Sequence, residues 1–395
     1  MPWEYSLPVS NPASKPGGPQ ITLVAGARPN FMKIAPISRE LARRQIPARL
    51  VHTGQHFDAN MSDVFFQDLG MPVPDVMLGA GGGTHAQQTA AVLVGMEAEL
   101  ERSRPGLVLV VGDVTSTLAS ALAAAKLGIP VVHVEAGLRS RDWTMPEEIN
   151  RVLTDRLSDL LLIPSPDARV NLLAEGIANE RIVSVGNVMI DSLRYAVDRP
   201  TDVLARLQLG SQAYAVATIH RPSSVDTAPS LNATLDVLTA LAARIPLIFP
   251  VHPRTLNRLS EFGLESRARS FPGLKLIEPL GYNDFVTLFS RSRLVVTDSG
   301  GIQEETTALG IPCLTMRDST ERPITVTEGT NILVGTDREQ VSSAVDAILA
   351  GKGKTGRVPE GWDGHAAVRI VDAIERFAAG TPKPLVFRST TYGMA

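Results

Sequence analysis

Short apolar runs rich in β-branched residues alternate with helical patterns along most of the chain. In the first half, the runs ITLVAG, PARLVHTG, GLVLVVGD and IPVVHVEAG predict strands. The segments KIAPISRELARR, DANMSDVFFQDLG, THAQQTAAVLVGMEAELERS and STLASALAAAKLG predict helices, because their apolar residues recur with a period of about 3.6. Strands that are apolar throughout and alternate with helices are typical of a parallel sheet covered on both faces. We therefore predict an α/β fold.

The same alternation begins again in the second half, where AYAVATIH, IPLIFPVH, LKLIEP, RLVVTDSG and IPCLTM predict further strands. Segments 108–132 and 294–314 both consist of a strand, an Asp-led turn, a helix, Leu-Gly-Ile-Pro and a strand. A gene duplication and a shared fold pattern explain this likeness equally well. Because 395 residues are too many for a typical single core, we predict two Rossmann-like doubly wound domains. Ligands bind such sheets at the carboxyl ends of the strands.

The composition of the chain places the domain boundaries. Residues 1–19 are rich in Pro, Ser and Gly and predict a flexible extension. We expect the N-terminal domain at 20–188, the C-terminal domain at 189–365, and a C-terminal helix and tail at 366–395 that pack back towards the first domain. The extension lacks the apolar core of a signal peptide, and no apolar run reaches the roughly 18 residues of a membrane span. We therefore predict a cytoplasmic protein without membrane contact.

Charge and residue counts exclude several classes of function. A net charge of -3 leaves no basic surface for nucleic acid. The single cysteine, Cys313, lies in an apolar run and predicts a buried thiol in a reducing compartment. The seven histidines show no metal-ligand spacing, so no metal is predicted. The glycine-rich LGAGGGTH precedes a helix rather than following a strand, so we expect no nicotinamide cofactor.

Acidic and basic residues follow the predicted strands of the first domain. Arg28 and Lys33 come after the first strand, Asp113 ends GLVLVVGD, and Glu135 ends the next strand. Glu147 begins a predicted helix in MPEEINR. Any one of these acids alone is more simply a helix cap or a surface charge. Together they are predicted to converge on one cleft, where paired groups can act as acid and base.

The second domain predicts an anion site. In VVTDSGGIQEE a strand feeds a helix through small residues, so backbone N–H groups of Ser299–Gly301 can hold a phosphate. His220 and His252 end two other strands, each beside an arginine. Cations and a helix N-terminus together favour a diphosphate. Glu304 or Glu305, one turn into the helix, is then placed to accept the hydroxyls of a ribose.

Eight motifs along the chain carry a family resemblance. GARPNFMKIAP, TGQH, GDVTSTLA, HVEAGLRS, PEEINR, PVHP, TDSGGIQEE and RDSTERP, between about Ile21 and Gly335, resemble those of the non-hydrolysing UDP-N-acetylglucosamine 2-epimerases in the same order. The resemblance implies a two-domain GT-B fold, often a homodimer, with the active site in the cleft. It implies interconversion of UDP-N-acetylglucosamine and UDP-N-acetylmannosamine, in which UDP leaves through a glycal-like intermediate and returns, without metal or cofactor.

The resemblance also implies roles for individual residues. The positions matching the UDP-binding residues of the family are Arg28, His252, Phe285, Ser299, Gly300, Gly301, Glu305 and Arg322. The positions matching those tied to catalysis are Lys33, Asp113, Glu135, Glu147 and His220. Gln55 and His56 match a segment implicated in a second, allosteric UDP-sugar site in bacterial members. Phe285, expected near the uracil, is equally well explained as an aromatic residue of a helix core.

Two departures from the family pattern concern the sugar more than the uridine. HRPSSVD has Ser223 and Ser224 where Glu-Asn is common, and Ile324 follows TERP where a Glu is frequent. The alternatives left open are a 2-epimerase of a modified sugar, such as UDP-2,3-diacetamido-glucuronate, and a hydrolysing 2-epimerase. A GT-B glycosyltransferase is a further alternative, although three acids in the first domain favour proton chemistry. A UDP-sugar sensor would bind without turnover.

Overall fold

The computed structural model describes residues 20–54, 68–210 and 213–380, without the side chain of Arg28. The extension 1–19 and the tail 381–395 lie outside the described residues. So do Gln55 and His56 and the segment DANMSDVFFQDLG up to residue 67.

The first sheet is parallel and has seven strands in the order β3-β2-β1-β4-β5-β6-β7. Its third strand in this order, β1, is fully buried, and Leu23 lies level with Leu50 on one side and Leu109 on the other. The apolar runs of the sequence therefore form the middle of a covered sheet. The strands are β1 Ile21–Ala25, β2 Ala48–His52, β3 Val76–Met77, β4 Leu107–Val111, β5 Val131–Val134, β6 Leu160–Ile163 and β7 Ile182–Ser184.

The second sheet is also parallel and has six strands in the order β10-β9-β8-β11-β12-β13. In both sheets the strand order reverses next to the first strand of the set, which opens a crevice at the carboxyl ends of the strands. These strands are β8 Ala215–Thr218, β9 Leu247–Pro250, β10 Leu274–Ile277, β11 Leu294–Thr297, β12 Cys313–Thr315 and β13 Asn331–Leu333.

Helices cover both sheets. In the first half of the chain they are α1 Arg28–Arg43, α2 His85–Ser103, α3 Thr115–Lys126, α4 Pro146–Leu157, α5 Pro166–Ala174, α6 Val188–Val197 and α7 Val203–Leu207. In the second half they are α8 Pro222–Val225, α9 Ala228–Ala242, α10 Pro253–Glu261, α11 Glu265–Ser270, α12 Tyr282–Ser290, α13 Gly300–Leu309, α14 Pro323–Thr327, α15 Arg338–Leu349 and α16 Ala366–Gly380. No helix in this described part combines the length and apolar composition that crossing a bilayer requires.

The prediction of two doubly wound domains is confirmed, and the arrangement is that of a GT-B fold. The helix α1 begins five residues before the predicted KIAP segment. There the side chain of Asn30 accepts hydrogen bonds from the backbone N–H groups of Gly26 and Ala27, which closes the turn after β1. The sequence patterns did not single out β3, β6, β7 or β13, which have two to four residues. Such strands are too short for a period to be read.

The chain crosses between the two sheets twice. The first crossing leads into α6, which packs against α1 of the first domain and against α12 and α13 of the second. In the second crossing, the chain returns with α16, which packs on α1. The crossings touch where Gly186 meets Gly361, both with positive φ, and a Cβ on Gly186 would lie 2.0 Å from the carbonyl oxygen of Gly361. Arg369 ties them further by donating to the carbonyl oxygens of Val185 and Gly361.

Candidate active site

The turns after β4 and β5 bring acidic residues to the carboxyl edge of the first sheet. Glu135 directly follows β5 with φ of 72°, a left-handed conformation that costs a residue with a Cβ about 1–2 kcal/mol. Gly112 also has positive φ, and a Cβ there would lie 2.8 Å from Nζ of Lys33. The buried ring of His133 lies 2.9 Å from the carbonyl oxygen of Gly112 and so links the two turns. The backbone is shaped to place Lys33 and Glu135 side by side.

A chain of buried opposite charges joins the two domains. Lys33 of α1 forms an ion pair with one oxygen of Glu135, and Nη2 of Arg322 lies 2.8 Å from the other. On its far side, Nε of Arg322 lies 2.7 Å from Glu304 of α13. Nη1 of Arg322 is buried and has no hydrogen-bond partner among the described residues. A buried donor of this kind is well placed to bind an anionic or hydroxyl-bearing ligand.

Asp113 lies beside this chain and is held by α4. Arg151 donates to its carboxylate at 2.6 and 2.9 Å, and Asn150 donates to its carbonyl oxygen. Burial raises the pKa of Asp113, but the charges of Arg151 and Lys33 outweigh burial and leave this pKa below its usual value. Asp113 is therefore a carboxylate at neutral pH, fixed in place by the residues of one helix.

The two adjacent glutamates of α4 have different surroundings. Glu148 is buried and accepts hydrogen bonds from the backbone N–H groups of Ser140 and Arg141. It also accepts hydrogen bonds from the hydroxyl of Ser140 at 3.0 Å and from Arg151 at 2.8 Å. Glu147 is half-buried, and its side chain has no hydrogen bond or ion pair within the described parts of the chain. Glu148 thus anchors the loop before the helix, whereas Glu147 is available for a ligand.

Two buried carboxyl groups stand in the first two turns of α13. Burial raises the pKa of Glu305 to about 8, although Tyr282 donates a hydrogen bond of 2.8 Å to its Oε1. Burial likewise raises the pKa of Glu304 to about 7, against the opposing charge of Arg322. In the ligand-free protein, Glu305 is therefore mostly a neutral acid at pH 7.

The N-terminus of α13 lies among cations. Ser299 precedes the helix, and a Cβ on Gly300 would lie 2.7 Å from Oε1 of Glu321. Glu321 is buried and forms ion pairs with Arg221 and Arg317 at 3.1 and 2.8 Å. Its pKa is raised by burial and lowered more strongly by the neighbouring arginines, so that it stays below its usual value. The first turn of the helix is thus free of side-chain bulk and close to positive charge, as an anion site requires.

Two histidines from adjacent strands meet at the edge of the second sheet. His220 follows β8 and His252 follows β9, and their ring centroids lie 5.5 Å apart. The fully buried Asp298, which follows β11, accepts hydrogen bonds from the backbone N–H groups of His220 and Arg221 at 3.0 and 2.8 Å. Asp298 therefore holds the backbone at His220, and the two imidazoles lie close together at the carboxyl edge of the sheet.

The structure brings together Lys33, Glu135 and Arg322, with Asp113 held beside them. Ser299, Gly300, Gly301 and Glu305 share one helix end. Phe285 is half-buried on α12, and its ring centroid lies 5.3 Å from that of Phe289. This contact fits an aromatic residue of a helix core and leaves part of the ring exposed to a ligand. Arg28 begins α1, while its side chain, Gln55 and His56 lie outside the described residues.

Sequence reasoning missed the partners of these residues. Asp298 directly follows a predicted strand in TDSGG, and this position is the feature of the sequence that could have marked it as a site residue. Nothing in the sequence singled out Tyr282, the partner of Glu305, or the buried Glu321. Across the described residues, no group of three or more His, Cys, Asp or Glu side chains is arranged to hold a metal ion.

Comparison with known proteins identifies the family. The family described as UDP-N-acetylglucosamine 2-epimerase matches residues 39–375. A relative of that name from Methanocaldococcus jannaschii is 41% identical over 360 residues, which are 89% of this chain and 98% of the relative. The UDP-2,3-diacetamido-2,3-dideoxy-D-glucuronate 2-epimerase of Pseudomonas aeruginosa is also 41% identical, over 90% of this chain and 99% of the relative.

Solved structures agree with the sequence match. The M. jannaschii UDP-GlcNAc 2-epimerase in complex with UDP-GlcNAc and UDP superposes with a TM-score of 0.83 at 40% identity, covering 90% of this chain and 99% of that one. The Neisseria meningitidis enzyme bound to UDP-GlcNAc gives a TM-score of 0.81 at 30% identity, covering 90% and 100%. This chain belongs to the UDP-N-acetylglucosamine 2-epimerase family.

Proposed function

We propose that this protein interconverts UDP-N-acetylglucosamine and UDP-N-acetylmannosamine by inverting C2, without hydrolysing the sugar from UDP. The observation that carries the proposal is the buried chain Lys33–Glu135–Arg322–Glu304, which joins the carboxyl edge of one sheet to the anion site of the other. An acid and a diphosphate site are thereby brought to the same cleft. The M. jannaschii relative of the same family supports the substrate.

UDP is held by the second domain in this proposal. The diphosphate binds the backbone N–H groups of Ser299, Gly300 and Gly301, and His252 and Arg322 donate to its oxygens. Glu305 accepts the ribose hydroxyls, and Phe285 lies near the uracil. Arg28 adds a positive charge from the start of α1. Stabilising the leaving diphosphate with preorganised donors lowers the barrier to breaking the C1–oxygen bond.

Proton transfer at C2 falls to the first domain. One carboxylate removes the C2 proton as UDP leaves C1, which gives a glycal, and UDP then returns while a proton is delivered to the opposite face. Asp113 is ionised and fixed by Arg151, and Glu147 has no side-chain partner among the described residues, so these two are the pair that we assign to the opposite faces of C2. Glu135 holds Lys33 and Arg322 in position, and His220 exchanges a proton with the leaving group.

A UDP-2,3-diacetamido-glucuronate substrate is the second candidate, since the P. aeruginosa relative matches as well as the M. jannaschii one. The residues that depart from the pattern lie near the site. Ile324 is buried in the first turn of α14, directly after Pro323, and Ser224 is buried in α8. Parallel turnover assays with both UDP-sugars, compared by kcat/KM, decide between these substrates.

Turnover in deuterium oxide tests the proposed reaction. Purified protein is incubated with UDP-N-acetylglucosamine, and NMR follows both the product and the hydrogen at C2. We expect UDP-N-acetylmannosamine carrying deuterium at C2. Release of free N-acetylmannosamine would identify a hydrolysing enzyme, and binding without turnover a sensor. Retention of the original C2 hydrogen would contradict proton removal by a carboxylate.

Isosteric variants test the proton-transfer residues. Asp113→Asn and Glu147→Gln should lower turnover by roughly 10²–10⁴-fold, because they keep shape but cannot take up a proton. UDP affinity should change far less, since the other domain holds the nucleotide. Asp346→Asn and Glu339→Gln are matched controls on α15, and Glu339 occupies the same position in its helix as Glu147. Loss of activity in the controls would show a general effect of such substitutions.

Two further proposals concern regulation and assembly. We propose that the protein is a homodimer, which light scattering measures directly.

We also propose that Gln55 and His56 contribute to a second UDP-sugar site. In that case, the double alanine variant should lose any activation by added UDP-N-acetylglucosamine while keeping UDP affinity at the catalytic site.

A further inference from the structure

Asp298 directly follows β11 and contacts the segment that carries His220. It is completely buried at the end of β11, where burial alone raises the pKa of a carboxyl. Its hydrogen bonds and its interaction with His220 outweigh burial, and the pKa of Asp298 stays below its usual value. Besides accepting the backbone N–H groups of His220 and Arg221, its Oδ1 lies 3.3 Å from Nδ1 of His220. A buried carboxylate thus faces one ring nitrogen of His220.

The contacts of the two imidazoles give them different tautomers. Nδ1 of His220 faces a carboxylate, which only accepts hydrogen bonds, so Nδ1 of this ring carries a proton. Nδ1 of His252 accepts a hydrogen bond of 3.1 Å from the backbone N–H of Arg254, so this nitrogen is unprotonated and Nε2 carries the proton. The Nε2 atoms of the two rings, whose centroids lie 5.5 Å apart, therefore differ in protonation. In its neutral form His220 offers a lone pair there, whereas His252 offers an N–H.

We propose that Asp298 is a positioning residue that fixes the tautomer and orientation of His220. The inference rests on the proposed function, because it gives His220 a proton-transfer role at the cleft. With Nδ1–H held by Asp298, Nε2 of protonated His220 can give its proton to a diphosphate oxygen as UDP leaves C1, and it takes that proton back when UDP returns to C1. The Nε2–H of His252 instead donates a constant hydrogen bond to the diphosphate. A carboxylate that holds a histidine in the working tautomer is worth orders of magnitude in rate in other enzymes.

The variant Asp298→Asn tests this role. An asparagine oxygen can still accept the backbone N–H groups, while its NH₂ group faces Nδ1 of His220 and favours the opposite tautomer. We expect kcat to fall by about 10²-fold or more, with KM for UDP-N-acetylglucosamine changing by less than about 3-fold. Asp346→Asn, an exposed carboxylate on α15, is the matched control and should leave both constants unchanged.

Nitrogen-15 NMR of the histidine rings provides a readout that a merely structural role would not move. Spectra of wild type and His220→Asn identify the His220 signals by difference. In the wild type, Nδ1 of neutral His220 should be the protonated nitrogen, and in Asp298→Asn the proton should move to Nε2. Unchanged ring signals together with unchanged kcat in Asp298→Asn would overturn the proposal.

Two other outcomes are also decisive. If Asp298→Asn does not fold, the wild-type spectrum alone decides, because a neutral His220 protonated at Nε2 contradicts the proposal. If the wild type does not epimerise UDP-N-acetylglucosamine, the proposed function fails. The ring signals of the wild type and of Asp298→Asn then still show whether Asp298 sets the tautomer of His220, so the two failures are distinguishable.

Discussion

Binding of a UDP-sugar should release a proton from Glu305. The carboxyl group of Glu305 is buried beside Glu304 and has a pKa of about 8 in the ligand-free protein, so it is mostly protonated at pH 7. Two ribose hydroxyls that donate to it favour the carboxylate, which accepts at both oxygens. The pKa of Glu305 then falls on binding, and the proton leaves to solvent.

The sign and size of the effect follow from this pKa. Lowering the pH below 8 populates the neutral acid, which must lose its proton before the carboxylate can bind the diol. Affinity should therefore rise with pH and level off about one unit above pH 8. Between pH 8 and pH 6, where the ionised fraction of Glu305 falls from about a half to about 1%, it should fall by up to about 50-fold, or on the order of 2 kcal/mol. UDP-N-acetylglucosamine is the suitable ligand, because its diphosphate diester does not titrate in this range.

Isothermal titration calorimetry measures the released proton directly. Binding enthalpies measured at pH 7 in two buffers should differ, per site, by close to the difference between the ionisation enthalpies of those buffers. In Glu305→Gln, which lacks this carboxyl group, the part of the difference that comes from Glu305 should disappear, and binding should be weaker and depend less on pH. Glu339→Gln on the exposed start of α15 is the control and should behave as wild type.

Equal heats in both buffers, together with a flat affinity between pH 6 and pH 9, would refute this reasoning. Glu305 would then either bind the ribose as a neutral acid or not contact it. The variant distinguishes these cases, because Glu305→Gln weakens binding only if the residue contacts the ligand.

Four further predictions follow from the structure. The pKa of Glu304 is raised from 4.5 to about 7, so its protonated form stabilises the folded protein at low pH, and this stabilisation is lost as pH rises through 7. The free energy of unfolding should therefore decline by about 3 kcal/mol, and thermal unfolding of Glu304→Gln should show a flatter decline. Arg322→Gln removes the ion-pair partner of Glu304 and one of the two partners of Glu135, and it should cost about 3–5 kcal/mol in urea unfolding at pH 8, less at pH 6. Gly112→Ala forces a Cβ towards Lys33 and should lower turnover by more than about 10-fold with a stability loss of only about 1–2 kcal/mol. Asp191 accepts the N–H groups of Ala366 and Ala367 at the start of α16, so Asp191→Ala should destabilise that helix by about 1–2 kcal/mol, seen as faster amide exchange there. Variants that match the wild type in these measurements would contradict the corresponding contact.

The sequence predicted the architecture because its strands are buried on both faces and so contain uninterrupted apolar runs. The ends of these strands could also be recognised in the sequence, because Asp113, Glu135 and His220 are the first polar residues after β4, β5 and β8. Position at a strand end is a local property of the sequence. These residues could therefore be nominated without any knowledge of how the domains pack.

Pairing between distant residues was not visible in the sequence. Arg322 contacts Glu135 across 187 positions, and Asp298 reaches His220 across 78. Which of two neighbouring acids is held by the protein also depends on tertiary contacts. The burial of Glu148 by the loop at Ser140, which leaves Glu147 unpaired, is such a case. Family resemblance named candidate residues for the site, but the electrostatic surroundings of each candidate came only from the packed structure.

The meeting of the two chain crossings at Gly186 and Gly361 has a mechanical consequence. If the crossings lay far apart, they would define an axis and restrict the domains to rotation about it. Because they lie side by side, from the contact of Gly186 with Gly361 to the hydrogen bonds that Asp191 accepts from Ala366 and Ala367, they form one joined connection between the domains. The ion pair of Glu135 with Arg322 is a further link between the domains. A charged ligand that competes for Arg322 would therefore alter the angular range of the two domains as well as fill the site between them.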